Sequence, residues 1–227
     1  YSVLGREAVN QLLLSRARSG AGGYVCVSNV HTTMMGYFDP AYRRITNESF
    51  LSVPDGMRLV GAMRSLGAAG QDRVRGPTLM RDLFDLGRTA GIRHFLYGGS
   101  PKALAALRRT LESQYPGVLI VGEHSPPFKA FEAITKAEWE ESARLINDSG
   151  AELVWVGLGA PKQERWMFAQ KDRVRGVMLG VGAAFDLLPG IVPEAPAALQ
   201  ALGLEWAYRF AMEPKRLWRR YLFNNPA

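Results

Sequence analysis

An aspartate stands between a proline and a glycine at the end of an apolar run, in the sequence Val53-Pro54-Asp55-Gly56. These neighbours predict a turn that leads from a strand into a helix. An aspartate there can cap the helix by accepting hydrogen bonds from its free N–H groups, which is the commoner role. It can also act as a general base that takes a proton from a bound hydroxyl. The local sequence leaves both interpretations open.

A second candidate site is the glycine turn at residues 156–164, with the sequence VGLGAPKQE. Gly157 and Gly159 allow close approach to the backbone, and the start of the following helix favours an anion such as a diphosphate. Lys162, Gln163 and Glu164 follow directly and place polar side chains at the start of this helix. The turn lacks the third glycine of GxGxxG, so a dinucleotide-binding oxidoreductase is only weakly supported, and it lacks the GxxxxGK of a P-loop, so it is not a P-loop. The alternative is a tight turn with a charged helix start.

Two further turns follow apolar runs. Gly98 and Gly99 come after one run, and residues 180–186, GVGAAFD, end another at Asp186. Small side chains there either admit a ligand or let a helix pack closely, and the sequence does not decide between these alternatives. In open α/β sheets, ligands bind outside the carboxyl ends of the strands, so these turns mark the expected edge of a site.

Polar residues also follow the first apolar run, in the sequence SNVHTT at 28–33. Asn29 and Thr32 are candidates for binding sugar hydroxyls. The three histidines lack the spacing of metal ligands, and no acidic pair such as DxD stands out, so no metal is predicted.

The end of the chain is basic and aromatic. Residues 203–223 carry five Lys and Arg against two Glu, which makes +3 of the net charge of +7. On a helix, Arg216, Arg219 and Arg220 fall on one face, opposite apolar and aromatic residues. This pattern predicts either an anchor on an anionic, apolar surface or a terminal helix docked on the domain. Because the charge is local, a nucleic-acid partner is not expected.

The chain of 227 residues, 47% hydrophobic and 22% charged, predicts one soluble α/β domain with a small appendage. Short apolar runs alternate with helical patterns, which predicts a Rossmann-like, mostly parallel sheet flanked by helices. The alternation ends near Pro193, so we expect a core at 1–192 and a basic helical C-terminal appendage at 193–227. No apolar run could span a bilayer, no signal peptide is evident, and the single Cys26 fits a reducing cytosol. The predicted strands are Tyr24–Ser28, Phe50–Val53, His94–Tyr97, Val118–Val121, Leu153–Val156 and Val177–Val181.

Read in order, these motifs resemble the WecG/TagA/CpsF glycosyltransferases from about Gly5 to the end. The matching stretches are VPDGM at 53–57, FLYGGSP at 95–101, YPGVLIVG at 115–122, VGLGAPKQERWM at 156–167, GVGAAFD at 180–186 and LGLEWAYRFAMEPKRLWRRY at 202–221. The pairing of GAPKQE with GLEW and a following Arg209 makes the resemblance specific.

The resemblance implies an inverting transfer, without metal or cofactor, from a UDP-sugar to a polyprenyl-diphosphate-linked saccharide. The enzyme would lie at the cytoplasmic face of the membrane and serve cell-surface polysaccharide synthesis. Asp55 would be the base, Gln163 a second catalytic residue, and the arginines at the end of the chain would meet the lipid diphosphate. The expected substrate-binding residues are Asn29, Thr32, Gly98, Gly99, Gly157, Gly159, Lys162, Glu164, Asp186, Arg209, Arg216, Arg219 and Arg220.

The chain departs from the family pattern at three places. A threonine common after the first strand is absent, Glu194 stands where a basic residue is common, and Thr78 stands where an aspartate is common. The first two changes favour an exopolysaccharide sugar such as glucose over N-acetylmannosamine. The alternatives are a non-catalytic module that binds nucleotide sugar or lipid, and an NAD-dependent oxidoreductase. The sequence leaves the oligomeric state open, including a homo-oligomer.

Overall fold

The computed structural model describes residues 1–212. Its strands form one parallel sheet in the order β2-β1-β6-β5-β3-β4. The strands are β1 (Gly23–Ser28), β2 (Leu51–Pro54), β3 (Arg93–Gly98), β4 (Leu119–His124), β5 (Leu153–Gly157) and β6 (Val177–Gly180). The helices are α1 (Arg6–Ser19), α2 (Val30–Phe38), α3 (Pro40–Asn47), α4 (Met57–Ser65), α5 (Gly76–Ala90), α6 (Pro101–Gln114), α7 (Lys136–Asp148), α8 (Lys162–Gln170), α9 (Ala184–Leu187), α10 (Ala197–Ala201) and α11 (Glu205–Met212).

The sheet separates two hydrophobic layers. Successive residues of a strand face opposite sides, so Val25 and Val27 of β1 join one cluster while Tyr24 and Cys26 join the other. Buried residues of α1, α5 and α6 complete the first cluster, and those of α3, α7 and α8 complete the second. Because both faces are covered, the strands read as continuous apolar runs in the sequence.

The predicted Rossmann-like α/β class is confirmed, and each of the six strands begins within one residue of its expected start. The helices α1, α2 and α3 were not predicted. The sequence of α2, VHTTMMGYF, contains β-branched residues and a glycine, so it carries no clear helical pattern. The start of α3 had a readable signal, because Asp39 caps it and Pro40 is its first residue.

The parallel register brings the carboxyl ends of four strands to one edge. Ser28 of β1 pairs with Pro54 of β2, and Gly180 of β6 pairs with Cys26 on one side and Val156 on the other. The turns after β1, β2, β5 and β6 therefore meet in one place. This edge is where the sequence placed its candidate residues.

The segment from residue 193 to 212 carries α10 and α11 and lies against this edge. At Gly203, between the two helices, an added Cβ would lie 3.3 Å from Cβ of Met57, the first residue of α4. The expected helix over 214–223, with Arg216, Arg219 and Arg220, lies outside the described residues, and the division at residue 193 stays a prediction. Within residues 1–212, none of the helices is long and apolar enough to cross a bilayer.

Candidate functional site

Two cavities meet at the carboxyl edge of the sheet. The larger cavity has a volume of about 380 Å³, and the turns after β5 and β6 line it together with α2 and Arg75. The smaller cavity, of about 110 Å³, lies between the starts of α2 and α4 and the helix α11. The residues that line both cavities are Asn29, Asp55, Glu205 and Arg209. These four residues therefore mark the junction between the cavities.

Asp55 does not cap α4, the helix that follows it. The N-cap of α4 is Gly56, and α4 has no side-chain cap, so the commoner interpretation of the turn is wrong. The Asp55 Oδ1 atom is buried and accepts no hydrogen bond from the described residues. Burial raises the pKa of this carboxyl, the charge of Arg73 opposes the rise, and the charge of Glu205 adds to it. A carboxylate with these properties is suited to take up a proton.

Gln163 shapes the turn that lines the larger cavity. Its side chain is 4% exposed; Oε1 accepts a hydrogen bond from the Gly159 backbone N–H at 3.1 Å, and Nε2 donates to Glu164 at 2.8 Å. An added Cβ at Gly180 would lie 3.1 Å from Gln163 Nε2, and one at Gly182 would lie 3.2 Å from Oε1. Gly180 at the end of β6 and Gly182 just after it therefore make room for this amide, and the amide holds the turn after β5.

Lys162 and Glu164 point elsewhere, although both neighbour Gln163 in sequence. Lys162 lines a separate cavity of about 170 Å³ beside Tyr97 and donates from Nζ to the backbone carbonyl of Lys129 at 2.7 Å. Burial lowers the pKa of Lys162, and the charge of Lys129 lowers it further. Glu164 is 2% exposed and hydrogen-bonds the buried Tyr42 under the sheet. The structure thus places neither Lys162 nor Glu164 in the lining of the larger or the smaller cavity, and their substrate-binding roles stay predictions.

The glycines of neighbouring turns pack directly on one another. Gly98 has φ of +119°, and a Cβ there would lie 2.7 Å from the backbone of Gly157. Gly99 donates its N–H to the Gly157 carbonyl at 3.1 Å, and a Cβ at Gly157 would meet the ring of Phe185 at 2.6 Å. Gly98 and Gly99 support the cavity wall from behind, whereas Gly157 and Gly159 line it.

Asn29 and Thr32 bind each other at the start of α2. Asn29 Oδ1 accepts from the Thr32 N–H at 3.3 Å, and Thr32 Oγ1 accepts from the Asn29 N–H at 2.9 Å, which forms a capping box. Both residues line the larger cavity. They therefore fix the start of α2 at the cavity wall.

Asp186 and Arg209 complete the predicted set within the described residues. Asp186 lines the larger cavity, and Arg209 of α11 lines both cavities. The Nε atom of Arg209 is buried and has no hydrogen-bond partner among residues 1–212. A buried guanidinium N–H in cavities that Asp55 also lines is a donor suited to an anionic oxygen.

Sequence reasoning missed three residues of the cavity walls, namely Glu205 at the junction and Arg73 and Arg75, which each line one cavity. Arg73 and Arg75 lie in the segment that joins α4 to α5, and both pair with Glu205 of α11. A signal was present in the sequence Arg73-Val74-Arg75, which places two basic residues on either side of an apolar one that is buried in the structure. Their partner lies about 130 positions further along the chain, which no local pattern shows.

No group of three or more His, Cys, Asp or Glu side chains in the described part of the chain could hold a metal ion.

Comparisons with known proteins agree on one family. The sequence profile described as "Glycosyl transferase WecG/TagA/CpsF family" matches residues 1–227. The chain is also 29% identical over 204 residues to an N-acetylglucosaminyldiphosphoundecaprenol N-acetyl-beta-D-mannosaminyltransferase of Bacillus spizizenii. That alignment covers 88% of this chain and 75% of the relative.

Proposed function

The chain belongs to the WecG/TagA/CpsF family and is a glycosyltransferase, and we propose that it transfers a sugar from UDP to a polyprenyl-diphosphate-linked saccharide with inversion and without a metal. The observation that carries this proposal is the position of Asp55, whose carboxylate lies where the two cavities meet. A base at this junction can reach one substrate in each cavity.

The larger cavity suits the nucleotide sugar. Its walls are backbone turns at Gly157–Gly159 and Gly180–Gly182, which let a diphosphate approach main-chain N–H groups. Arg75 and Arg209 add positive charge to its lining. These groups would stabilise the negative charge that grows on the departing UDP, which is the task that a metal ion performs in other transferases.

The smaller cavity suits the acceptor sugar. Trp206 of α11 and Arg58 of α4 form part of its wall, and the Arg58 guanidinium lies 5.0 Å from the Trp206 ring centre. A flat ring with charged neighbours is typical of a surface that receives a sugar carried on an anion. The lipid diphosphate would then extend toward Arg216, Arg219 and Arg220, and a negatively charged inner membrane face would hold the basic end of the chain.

In the transfer, the Asp55 carboxylate takes the proton of the acceptor hydroxyl. The hydroxyl oxygen forms a bond to the anomeric carbon while the bond from that carbon to the diphosphate oxygen breaks. The leaving UDP keeps the electron pair, and in-line attack inverts the anomeric centre. Arg209 at the junction meets charge on the diphosphate.

The donor sugar is proposed as one of two. The Bacillus relative is named for N-acetylmannosaminyl transfer to a diphosphate-linked N-acetylglucosamine. This chain has Val27-Ser28-Asn29 where the family pattern has a functional threonine, which favours glucose.

A donor screen tests the proposal. The full chain is mixed with UDP-glucose, UDP-N-acetylmannosamine or UDP-N-acetylglucosamine and a short polyprenyl-diphosphate-sugar acceptor, with and without EDTA. We expect acceptor-dependent release of UDP with one of the first two donors, unchanged by EDTA, and an inverted anomeric centre by NMR. Loss of turnover in EDTA would contradict metal independence, and the absence of any glycosylated lipid by mass spectrometry would contradict the proposed reaction.

A further inference from the structure

We infer that Glu205 is a positioning residue for Asp55, because its carboxylate bridges the guanidinium groups of Arg73 and Arg75 and holds both away from the Asp55 carboxylate. This inference rests on the proposed function in that Asp55 is taken as the base. Neither arginine nor Glu205 was among the residues expected from the sequence.

The contacts of Arg73 show most directly that Asp55 and Glu205 are alternative partners for one guanidinium group. Its Nε donates to the backbone carbonyl of Asp55, so its guanidinium lies beside that residue. Its terminal nitrogen nevertheless pairs with Glu205 Oε2, at 2.7 Å. Among the described residues no ion pair joins Asp55 to an arginine, and Asp55 Oδ1 accepts no hydrogen bond.

Arg75 is held in the same way from the other side. Its side chain is 6% exposed, and its two terminal nitrogens pair with Glu205 Oε1 at 2.9 Å and with Glu194 at 3.0 Å. Glu194 also pairs with Arg81 and does not line either cavity. Two carboxylates from the C-terminal segment thus occupy the terminal nitrogens of Arg75, but only Glu205 lies at the junction.

The charge of Glu205 affects how well Asp55 can act as a base. Burial tends to raise the pKa of Glu205, but the hydrogen bond from Arg73 and the charge of Arg75 outweigh it, so Glu205 stays ionised. An ionised Glu205 satisfies both guanidinium groups and also repels a charge on Asp55. Without it, the two arginines would attract the Asp55 carboxylate, occupy its lone pairs and weaken it as a base.

Other charged groups also surround the junction. Arg58 of α4, Arg209 of α11 and the titratable His31 of α2 line the smaller cavity with Asp55, and Asp186 lines the larger one with it. The backbone N–H of Gly76 favours the charged form of Asp55. These groups are unchanged in the variants that test the inference. A shift produced by Glu205 alone can therefore be separated from their effect.

The test measures the pKa of Asp55 by carboxyl carbon NMR in the full chain, which needs no turnover. In Glu205→Gln we expect that pKa to fall by about one pH unit or more, since a repelling charge is lost and two arginines lose their counter-charge. In Glu194→Gln, which removes an ion pair from the same Arg75, we expect no shift. In Arg75→Gln we expect the pKa to rise, because an attracting charge is lost.

The Arg75→Gln variant also loses an ion pair to α11, so the direction of its pKa shift separates a loss of charge from a release of that helix. A variant that merely released α11 would expose Asp55 to water and lower its pKa, so a rise cannot come from release. Thermal melting and hydrogen exchange of residues 205–212 check each variant for loosening of α11.

Kinetics supply the second readout. In Glu205→Gln the acid limb of the kcat/KM profile moves to lower pH and the plateau falls, and Glu205→Asp restores part of both; Glu194→Gln keeps the wild-type profile. An unshifted Asp55 pKa in Glu205→Gln, or an equal shift in Glu194→Gln, overturns the inference. Failure of the proposed function shows differently, as absence of transfer by the wild-type chain with the NMR shifts intact.

Discussion

The side chain of Gln163 accepts a hydrogen bond from the backbone N–H of Gly159 at 3.1 Å, across the turn that lines the larger cavity. The same amide donates to Glu164, so both of its ends are held. Gln163 thus acts on the shape of the turn, and through it on how the turn receives a diphosphate.

Replacing Gln163 by alanine should raise the KM for the donor and lower kcat/KM by about 100-fold, because the Gly159 turn loses its support. The free energy of unfolding should fall by about 1–3 kcal/mol, since buried polar groups lose a partner. The matched control is Gln170→Ala, because Gln170 is also buried on α8 but bonds the Trp139 carbonyl away from the cavity. Urea unfolding and steady-state kinetics distinguish them; equal losses of kcat/KM would contradict a role for Gln163 at the cavity.

Replacing Asp55 by asparagine should leave the chain folded and reduce transfer by about 100-fold to 10,000-fold, as expected for loss of a general base. Asp39→Asn is the control, because Asp39 is a true helix cap whose carboxylate accepts from the Ala41 N–H at 2.9 Å. We expect that variant to keep wild-type transfer. Full turnover by Asp55→Asn, with UDP release followed at saturating donor, would rule out Asp55 as the base.

The stability of Asp55→Asn should depend on pH relative to wild type. The pKa of Asp55 in the folded chain lies above its ordinary value of 3.8. As the pH rises, this carboxyl therefore ionises at a lower pH in the unfolded chain than in the folded one. The free energy of unfolding of the wild type therefore falls as the pH rises from the unfolded to the folded pKa of Asp55. The cost of burying the ionised carboxyl persists at higher pH. The variant lacks the penalty, so its advantage in free energy of unfolding should grow across that window. Urea unfolding of both chains at a series of pH values measures it; a constant difference would contradict the raised pKa.

Replacing Gly98 by alanine should destabilise the chain more than replacing Gly67. Both residues have positive φ, +119° and +106°, so both variants carry backbone strain of about 1–3 kcal/mol. Only at Gly98 would the new Cβ strike backbone, 2.7 Å from Gly157, whereas Gly67 has open space. We expect a further loss of roughly 1–3 kcal/mol for Gly98→Ala, together with a higher KM for the donor. Equal melting temperatures for the two variants would show that the contact with Gly157 is unimportant.

Removing three basic residues of the tail should weaken membrane binding. Arg216, Arg219 and Arg220 replaced together by alanine should lower the affinity for vesicles containing anionic lipid by roughly 100-fold, at about 1 kcal/mol per arginine. The control removes the same charge from Arg88, Arg108 and Arg144, which pair with carboxylates of their own helices. Vesicle sedimentation at two salt concentrations compares them. Equal binding by both triple variants would place the membrane contact elsewhere.

Much of the fold could be predicted because its signals are local. Buried parallel strands are continuous apolar runs, and the α6 bounds Pro101–Gln114 follow from a proline start and an amphipathic repeat. The helix α2 could not be predicted, because its capping box forms only after Asn29 and Thr32 adopt the turn. Its β-branched residues and Gly36 carry no helical pattern of their own.

The sequence predicted which turns form the candidate site, but not the directions in which their side chains point. Lys162, Gln163 and Glu164 are consecutive, and on a helix each is rotated by about 100° from the next. Lys162 faces the separate cavity beside Tyr97, Gln163 faces the larger cavity, and Glu164 faces the buried Tyr42. Sequence alone could not choose among the three.

By itself the sequence determined the α/β class, the six strands, the edge that carries the glycine turns, and the resemblance that led to Asp55. Each follows from composition, periodicity or motif, which act over a few neighbouring residues. Only the tertiary structure decided that Asp55 does not cap α4, that two cavities share it, and that Glu205 pairs with Arg73 and Arg75. The physical reason is that burial and charge pairing depend on residues brought together from distant parts of the chain.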